Sequence, residues 1–584
     1  MTRMDATGAH AGAGTDVLWA GPVPHQLDGA SAWSTGYAFT ADGGYIEDDE
    51  IADALWRDHG RLEQAADRLN GAFAAAFFTD DGAIFVTDRD GSFPLFSGRA
   101  GDRFVVSNDA WRIVDALPNP PELDDVAVLD MLRLGYVAGE RTLARGVSIM
   151  PPATIWRVRR HRVESTRYWR FRVVSGSTPR EESEAQLADA LRGMAQSIAG
   201  HLKSSGRSSA MALSGGLDTR LLTALLVREG VEDFRAFSYG APGDPEMEAG
   251  QRVAQLLGVP HDRVELSPSY VNDAFIDETV RTVGFTTRFT CGVGIRHYDR
   301  PVDTFLTGHG GCFSDFNYGL LTAPVHTRDQ ARRYIYWRNY QLDTHDNVPH
   351  QVFDVDYDAV KWTSIDETLP PLDRGADPIG ELYRWGLENR QRKLILMEHR
   401  LYETRGRWIL PIHDHRVTAY FLSAPRSLLI GQRAYKDVAL DLFRSLDPEL
   451  ADMPRVGGEM GHDPKMALAV DVSRRLRWLA SPLFPLLVRR SKAFQAAPAI
   501  PLGADPFRYW FHTDPAARDN ILDRVAALEV PMVNNRGLRD ALLAAQSDKI
   551  FMRMLPGAIT VQSFADLLRQ RRTQTRPASE AASA

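Results

Sequence analysis

The 584-residue sequence predicts a multidomain α/β protein, and three observations carry that expectation. Residues 1 to about 172 set apolar runs between turns rich in Asp and Gly, the pattern of antiparallel β structure. From residue 209, short apolar runs alternate with stretches of helical periodicity, which predicts a parallel sheet covered on both faces. From about residue 380 the helical pattern dominates. At roughly 100 to 200 residues per domain, the length implies about three domains. The expected divisions are 1–172, 185–465 and 466–584, the last a helical extension ending in the polar, disordered tail "RRTQTRPASEAASA".

In the first region, "AFAAAFFTDDGAIFVTDRDGSFPLFSG" (72–98) is interrupted at Asp-Asp-Gly and again at Asp-Gly, two hairpin signals. "RFVVSND" and "ATIWRVRRHRVESTRYWRF" supply further strands, the latter alternating around Ile155, Val158 and Val163. "SGSTPREESE" (175–184) then reads as a linker and a helix start. Thr178 is the expected N-cap, Pro179 the first helical residue, and Glu181 closes a capping box. Leu187, Leu191, Met194, Ile198 and Leu202 follow at helical spacing.

The α/β pattern comes next. "SAMAL" is a buried-strand candidate and "LLTALLVREG" a helix ending at Gly230. "DFRAFSYG" reads as a strand, "EMEAGQRVAQLLG" as a helix ending at Gly258, and "DRVEL" as a strand. A helical stretch through 270–283 precedes another strand, "DTFLTG". Ligands of such sheets sit beyond the carboxyl ends of the strands. Both Gly-rich turns, 214–216 and 308–311, fall at such ends and are expected to share one site.

Composition narrows the function classes. With 44% hydrophobic and 25% charged residues, the chain has the balance of an ordinary globular protein. A net charge of −8 is mild for this length and leaves no electrostatic footprint for nucleic acid. Two cysteines, Cys291 and Cys312, are too few for a disulfide scaffold or a four-thiolate zinc site. The first 21 residues lack the apolar core of a signal peptide, and no stretch approaches the ~20 apolar residues of a membrane span. The expected location is the cytoplasm.

The stretch "MALSGGLDTRLLTALLV" (211–227) is the most specific signal. Gly215 and Gly216 let the backbone turn tightly and approach an anion with no Cβ in the way. The hydroxyls of Ser214 and Thr219 suit phosphate oxygens, and the following helix directs its unpaired N–H groups at the same place. Asp218 would repel phosphate unless a divalent cation lies between them, which implies Mg²⁺. A strand-turn-helix link in which glycines merely end the strand is the bland alternative. No Gly-Lys-Thr sequence follows, so the loop is not of the Walker type.

Ser214-Gly215-Gly216-Leu217-Asp218-Thr219 resembles the pyrophosphate loop of N-type ATP pyrophosphatases, most closely that of the asparagine synthase family. "AFSYG" (236–240), Glu246 with "AGQRVAQLLGVPH", and "LTGHGG" (306–311) are similar to later parts of the same domain. "LNGAFAAAFF", "DRDGSFPLF", "FVVSND", "MPPATIWRV" and "RYW" resemble the family's N-terminal glutaminase. The resemblance implies an Ntn-like αββα domain. After it comes a parallel-sheet synthetase domain of the adenine-nucleotide α-hydrolase type. It implies ATP and Mg²⁺ as cofactors and cleavage of ATP to AMP and pyrophosphate through an acyl-adenylate. By the same resemblance Ser214, Gly215, Gly216 and Thr219 hold the pyrophosphate, Leu217 belongs to the same cofactor-binding loop, and Asp218 binds Mg²⁺. Leu213 and Tyr239 border the adenosine, and Thr307 and Gly308 close the site.

The chain departs from that family in three places. Position 2, the family's nucleophilic cysteine, is Thr2, so no glutamine hydrolysis is expected. The second Gly-rich loop has Cys312 where the family has a Mg²⁺-ligating aspartate, with His309 at the preceding acidic position. A thiol suits Mg²⁺ poorly. Asp315 would reach the ion if the loop turns helically; otherwise Asp218 and the phosphates hold it alone, or adenylation is lost. The family's late lysine has no direct counterpart: "PRVGGEMGH" (454–462) offers Arg455, and Lys436 and Lys465 are the other cations of that region.

The reading is therefore an AMP-forming amide ligase that joins a small-molecule or peptide carboxylate to an amine donor. Family branches lacking the glutaminase cysteine include β-lactam-forming synthetases and peptide macrocyclases. The alternatives are an inactive scaffold or regulatory homologue, and tRNA thiolation, which the acidic balance disfavours. His413, Asp414 and His415 in "PIHDHR" invite a metal reading, but their spacing favours a structural one. Glu403 and Arg405 either face the acceptor or form a surface pair. Residues 473–494 have basic flanks and an apolar centre broken by Pro482 and Pro485, so internal packing is preferred to contact with a membrane or partner. A homodimer is compatible with all of this.

Overall fold

The computed structural model describes residues 10–11, 17–159, 162–174, 176–270, 272–289, 292–308, 325–339, 348–369, 371–372, 377–429, 433–454, 506–544 and 548–575. Thr2, Cys291, His309, Gly310, Gly311, Cys312, Asp315, Arg455, Lys465 and the 473–494 segment lie outside them. The chain forms two compact units, one of Met1–Arg170, Asp273–Phe289 and Gly557–Ala584, the other of Phe171–Asn272 and Thr290–Pro556.

The first unit begins with strands β1 (His10–Ala11), β2 (Val17–Trp19), β3 (His25–Leu27), β4 (Ala30–Phe39) and β5 (Tyr45–Glu47) and helices α1 (Asp49–Arg57) and α2 (Leu62–Arg68). It continues with β6 (Asn70–Thr79), β7 (Gly82–Thr87), β8 (Phe96–Ala100), β9 (Arg103–Ser107), α3 (Ala110–Ala116), α4 (Asp125–Leu134), β10 (Ser148–Ile149), β11 (Thr154–Arg159) and β12 (Arg162–Arg167). Seven strands make one sheet in the order β12-β11-β7-β6-β4-β3, with β5 also on β4; five make another, β1-β2-β9-β8-β10. Trp19 of the smaller sheet is fully buried, 5.0 Å from Trp33 and 6.2 Å from Phe85 of the larger, so these rings form the core between the sheets. Ile51, Leu55, Leu62 and Ala66 of α1 and α2 cover the outer face of the large sheet over Phe73, Phe77, Val86 and Ile155. Trp111 of α3 packs 4.8 Å from Phe285 and 5.0 Å from Phe564. Helices therefore flank two stacked sheets, the αββα layering that the resemblance implied.

Local chemistry corrects the sequence reading at several points. Asp80-Asp81 does turn a hairpin between β6 and β7. Asp90-Gly91 does not: the chain leaves β7 and crosses to β8 in the other sheet. That turn wraps a buried carboxylate, Asp88, which accepts from the N–H groups of Phe73, Asp90 and Ser92 at 3.0, 2.8 and 3.0 Å. Burial outweighs these bonds and raises its pKa to about 6. Ile155 and Val158 are buried as expected, whereas Val163 on β12 is exposed. The described residues of the β-rich region also form the helices α1 to α4, which the turn signals did not reveal.

The second unit opens with α5 (Arg180–Ser205), whose Leu187, Leu191, Met194, Ile198 and Leu202 are all buried. Thr178 does not cap it. Pro179 is the N-cap residue, no side chain completes the cap, and the carbonyl of Pro179 accepts from Ser183 N–H at 2.9 Å. There follow β13 (Ser209–Ala212), α6 (Leu217–Arg228), β14 (Phe234–Gly240), α7 (Pro245–Leu256), β15 (His261–Glu265), β16 (Thr304–Thr307) and β17 (Arg407–Ile409). The helix Asp273–Val283, read from sequence between two of these strands, belongs to the first unit. The sheet is parallel throughout, in the order β15-β14-β13-β16-β17. β17 is an addition to the expected strands, lying in the part read as helical. Among the described residues no helix is long and apolar enough to cross a membrane.

Candidate active site

The chain order runs outward from β13 in both directions, to β14 and β15 on one side and to β16 and β17 on the other. That reversal opens a crevice at the carboxyl ends of β13 and β16, where α/β sheets bind ligands. Ala212 is in register with Thr307, so Leu213 and Gly308 leave the sheet side by side. A cavity of about 460 Å³ lies there, walled by residues that include Leu213, Ser214, Gly216, Asp218, Thr219, Tyr239 and Gly308. The two Gly-rich turns thus meet at one site as far as Gly308; Gly310 and Gly311 are outside the described residues.

The first turn is held by its own polar groups. Ser214 N–H donates to Thr219 Oγ1 at 3.2 Å, Gly216 N–H to Ser214 Oγ at 3.1 Å, and the two hydroxyls lie 3.2 Å apart. α6 starts directly after Gly216 with no side-chain cap, which leaves its first N–H groups directed at the cavity. Gly215 is buried behind the wall: its N–H donates to Glu246 Oε2 at 2.7 Å, and its carbonyl accepts from Arg220 Nη2 at 3.2 Å. Asp218 accepts at Oδ1 from the hydroxyl of Tyr435, 2.8 Å away on the helix Arg433–Leu446.

Other expected site residues take different positions. Leu217 is 3% exposed and packs into the core, because the first residue of α6 turns its apolar side chain inward. Thr307 is fully buried and its hydroxyl pairs with His399 Nε2 at 2.7 Å, so it is committed to the interior and is not on the cavity wall. Lys436 is half-buried beside Tyr435 and is likewise not on the wall. Gly308 is pressed against the first turn: a Cβ there would stand 2.5 Å from Thr219 Cγ2. Tyr239 lies against the backbone of Gly294, where an added Cβ would overlap its ring.

Sequence reasoning missed several contributors. Asp244 caps α7 by accepting from Glu246 N–H at 2.8 Å, and "Gly-Asp-Pro-Glu" is the signal that would have found it. Burial raises Asp244 to about 6, offset in part by that bond and reinforced by the charge of Glu246. Asp218, Asp244 and Glu246 all wall the cavity, and no Lys, Arg or His among the described residues does.

Among the described residues no group of three or more His, Cys, Asp or Glu side chains is placed to hold a metal ion, around His413 and His415 or elsewhere. Asp414 caps the helix His415–Ser423, accepting from Arg416 N–H at 2.9 Å, and pairs with the Arg416 guanidinium at 2.6 Å. Glu403 pairs with Arg400 at 2.9 Å, and Arg405 donates to the Tyr298 carbonyl.

Comparison with known proteins agrees with this architecture. Residues 36–169 match the glutamine amidotransferase domain family, and residues 189–457 match the asparagine synthase family. No curated protein matches the chain. Among solved structures, the chain is similar to glutamine phosphoribosylpyrophosphate amidotransferase from B. subtilis complexed with ADP and GMP. The identity is 13%, over 53% of this chain and 59% of that one, with a TM-score of 0.18. It is also similar to a structure described as the allosteric regulatory enzyme of purine biosynthesis, at 12% identity over 55% and 58% with a TM-score of 0.17. The chain thus spans under three fifths of either protein. The chain therefore carries a glutamine amidotransferase domain over residues 36–169 followed by an asparagine synthase domain over residues 189–457.

Proposed function

We propose that this protein is an ATP-dependent, AMP-forming amide ligase. A carboxylate oxygen attacks the α-phosphorus of ATP and pyrophosphate leaves; an amine then attacks the acyl carbon, AMP leaves, and the amine loses a proton. The observation that carries this is the Ser214-Gly215-Gly216 turn, which opens with the uncapped start of α6 on a cavity at the reversal point of a parallel sheet. Ser214, Gly216 and Thr219 are the groups on the wall that suit the phosphates, and Leu213 and Tyr239 those that suit the adenosine. Mg²⁺, held by Asp218 with phosphate oxygens, would neutralise charge between ATP and the acidic wall.

The amine comes from outside the chain's own chemistry. This reading takes no ammonia from glutamine. The two cysteines of the sequence, Cys291 and Cys312, both lie beyond the matched glutamine amidotransferase region, 36–169, and position 2, where the family resemblance puts the nucleophile, is Thr2. One observation favours a second reading, an inactive homologue: the wall carries three carboxylates and, among the described residues, no cation. Product analysis separates the two. Incubation with Mg-ATP, a set of carboxylates and an amine should yield AMP and pyrophosphate, with no glutamate formed from added glutamine. ADP as product, or no nucleotide turnover with any carboxylate, would count against the ligase.

A further inference from the structure

We propose that Glu246 and Arg220 are positioning residues that grip Gly215 from its two sides and thereby aim the loop at the nucleotide phosphates; this rests on the ATP reading above. Gly215 has no side chain to anchor it, and an unanchored glycine samples a wide range of backbone angles. Here both of its backbone polar groups are taken by opposite charges from different helices. The N–H goes to Glu246 Oε2 at 2.7 Å, from the first turn of α7, and the carbonyl to Arg220 Nη2 at 3.2 Å, from the first turn of α6.

Arg220 is fully buried, and its guanidinium also bonds the carbonyls of Met453, Pro454 and Leu450 at 3.0, 3.2 and 3.4 Å. Four carbonyl oxygens in fixed directions use the planar fork of an arginine, which a lysine ammonium cannot reproduce. The Glu246 end is fixed as well, since Asp244 caps the turn that carries it.

A different role for Glu246 is conceivable, as an anion substitute that phosphate displaces from the loop. The placement of Gly215 argues against it. Ser214 and Gly216 stand on the cavity wall, while Gly215 between them is buried behind it. Its N–H is therefore an anchor point, and the donors left for phosphate are those of the residues on either side.

Two measurements on the full chain test the clamp. In nucleotide-free protein, hydrogen exchange of the loop peptide should accelerate in Glu246→Ala and Arg220→Lys with the remainder of the sheet still protected. By calorimetry, Glu246→Ala should weaken Mg-ATP binding by about tenfold, as expected for losing a hydrogen bond to a charged group. Glu246→Gln should recover most of that loss, because its amide oxygen still accepts from Gly215. Unaltered exchange at the loop, or Mg-ATP binding in Glu246→Ala as tight as or tighter than the parent, overturns the proposal. If the parent itself fails to bind Mg-ATP, the functional reading falls, and the exchange rates still decide the clamp. Should Arg220→Lys fail to fold, the two Glu246 variants carry the test.

Discussion

The hydroxyl of Tyr435 donates to Asp218 Oδ1 at 2.8 Å, fixing the carboxylate that lines the cavity beside the Ser214–Thr219 turn. The two residues are 217 positions apart, so the bond ties α6 to the helix Arg433–Leu446. Fixing a carboxylate before a cation arrives lowers the entropy lost on binding. Tyr435→Phe removes the donor and keeps the ring. Its Mg-ATP dissociation constant should rise by up to about tenfold, the effect of one hydrogen bond to a charged group. Calorimetric titration reads this, with a matched thermal midpoint as control.

The meeting of the two loops depends on Gly308. A Cβ there would lie 2.5 Å from Thr219 Cγ2 and 3.2 Å from Thr219 N, so one loop must shift. Gly308→Ala is expected to cost about 1–3 kcal/mol of stability through overpacking. It should also weaken Mg-ATP binding, since Thr219 moves with the loop. Urea denaturation and calorimetry report the two effects separately.

Thr307 makes the contrasting case. Its hydroxyl is spent on His399 inside the core, and both residues are fully buried. Thr307→Val keeps the shape and strands the imidazole nitrogen, at a cost of about 1–3 kcal/mol. Mg-ATP affinity should stay within about twofold, which means that no more than about 0.4 kcal/mol reaches the ligand. A tenfold loss of affinity with unchanged stability would show instead that the hydroxyl serves the nucleotide.

Asp88 gives the first unit a pH signature. Burial lifts its folded pKa from 3.8 to about 6. The folded state thus holds the proton more tightly than the unfolded chain does. The stability this provides is complete below pH ~4 and is lost as pH rises to ~6. Two pH units correspond to about 3 kcal/mol at most. Asp88→Asn cannot ionise, so its unfolding midpoint should fall less than the parent's between pH 4.5 and 7. Parallel pH profiles would contradict this.

Local signals made part of this legible from sequence. The apolar spacing of Leu187 to Leu202 and the short-strand, helix alternation from 209 onward are features of neighbouring residues, and both appear as read. The Ser214–Thr219 turn is also local, and it stands at the cavity. What stayed hidden is decided by distant partners. Arg407-Trp408-Ile409 is a strand only because β16 lies beside it. Leu217 and Thr307 were placed by motif position, but the direction of a side chain depends on packing. Glu246, Arg220 and Tyr435 reach the loop through contacts that no spacing along the chain displays.

The central claim is that the turn after β13 holds the phosphates of ATP with its α-phosphorus open to a carboxylate. Carboxylate-dependent exchange of ³²P-pyrophosphate into ATP tests it most directly. At least one member of a carboxylate library should support exchange in the parent, and none should in Asp218→Ala. No exchange with any carboxylate of the library, together with Mg-ATP bound by Asp218→Ala as tightly as by the parent, would contradict it.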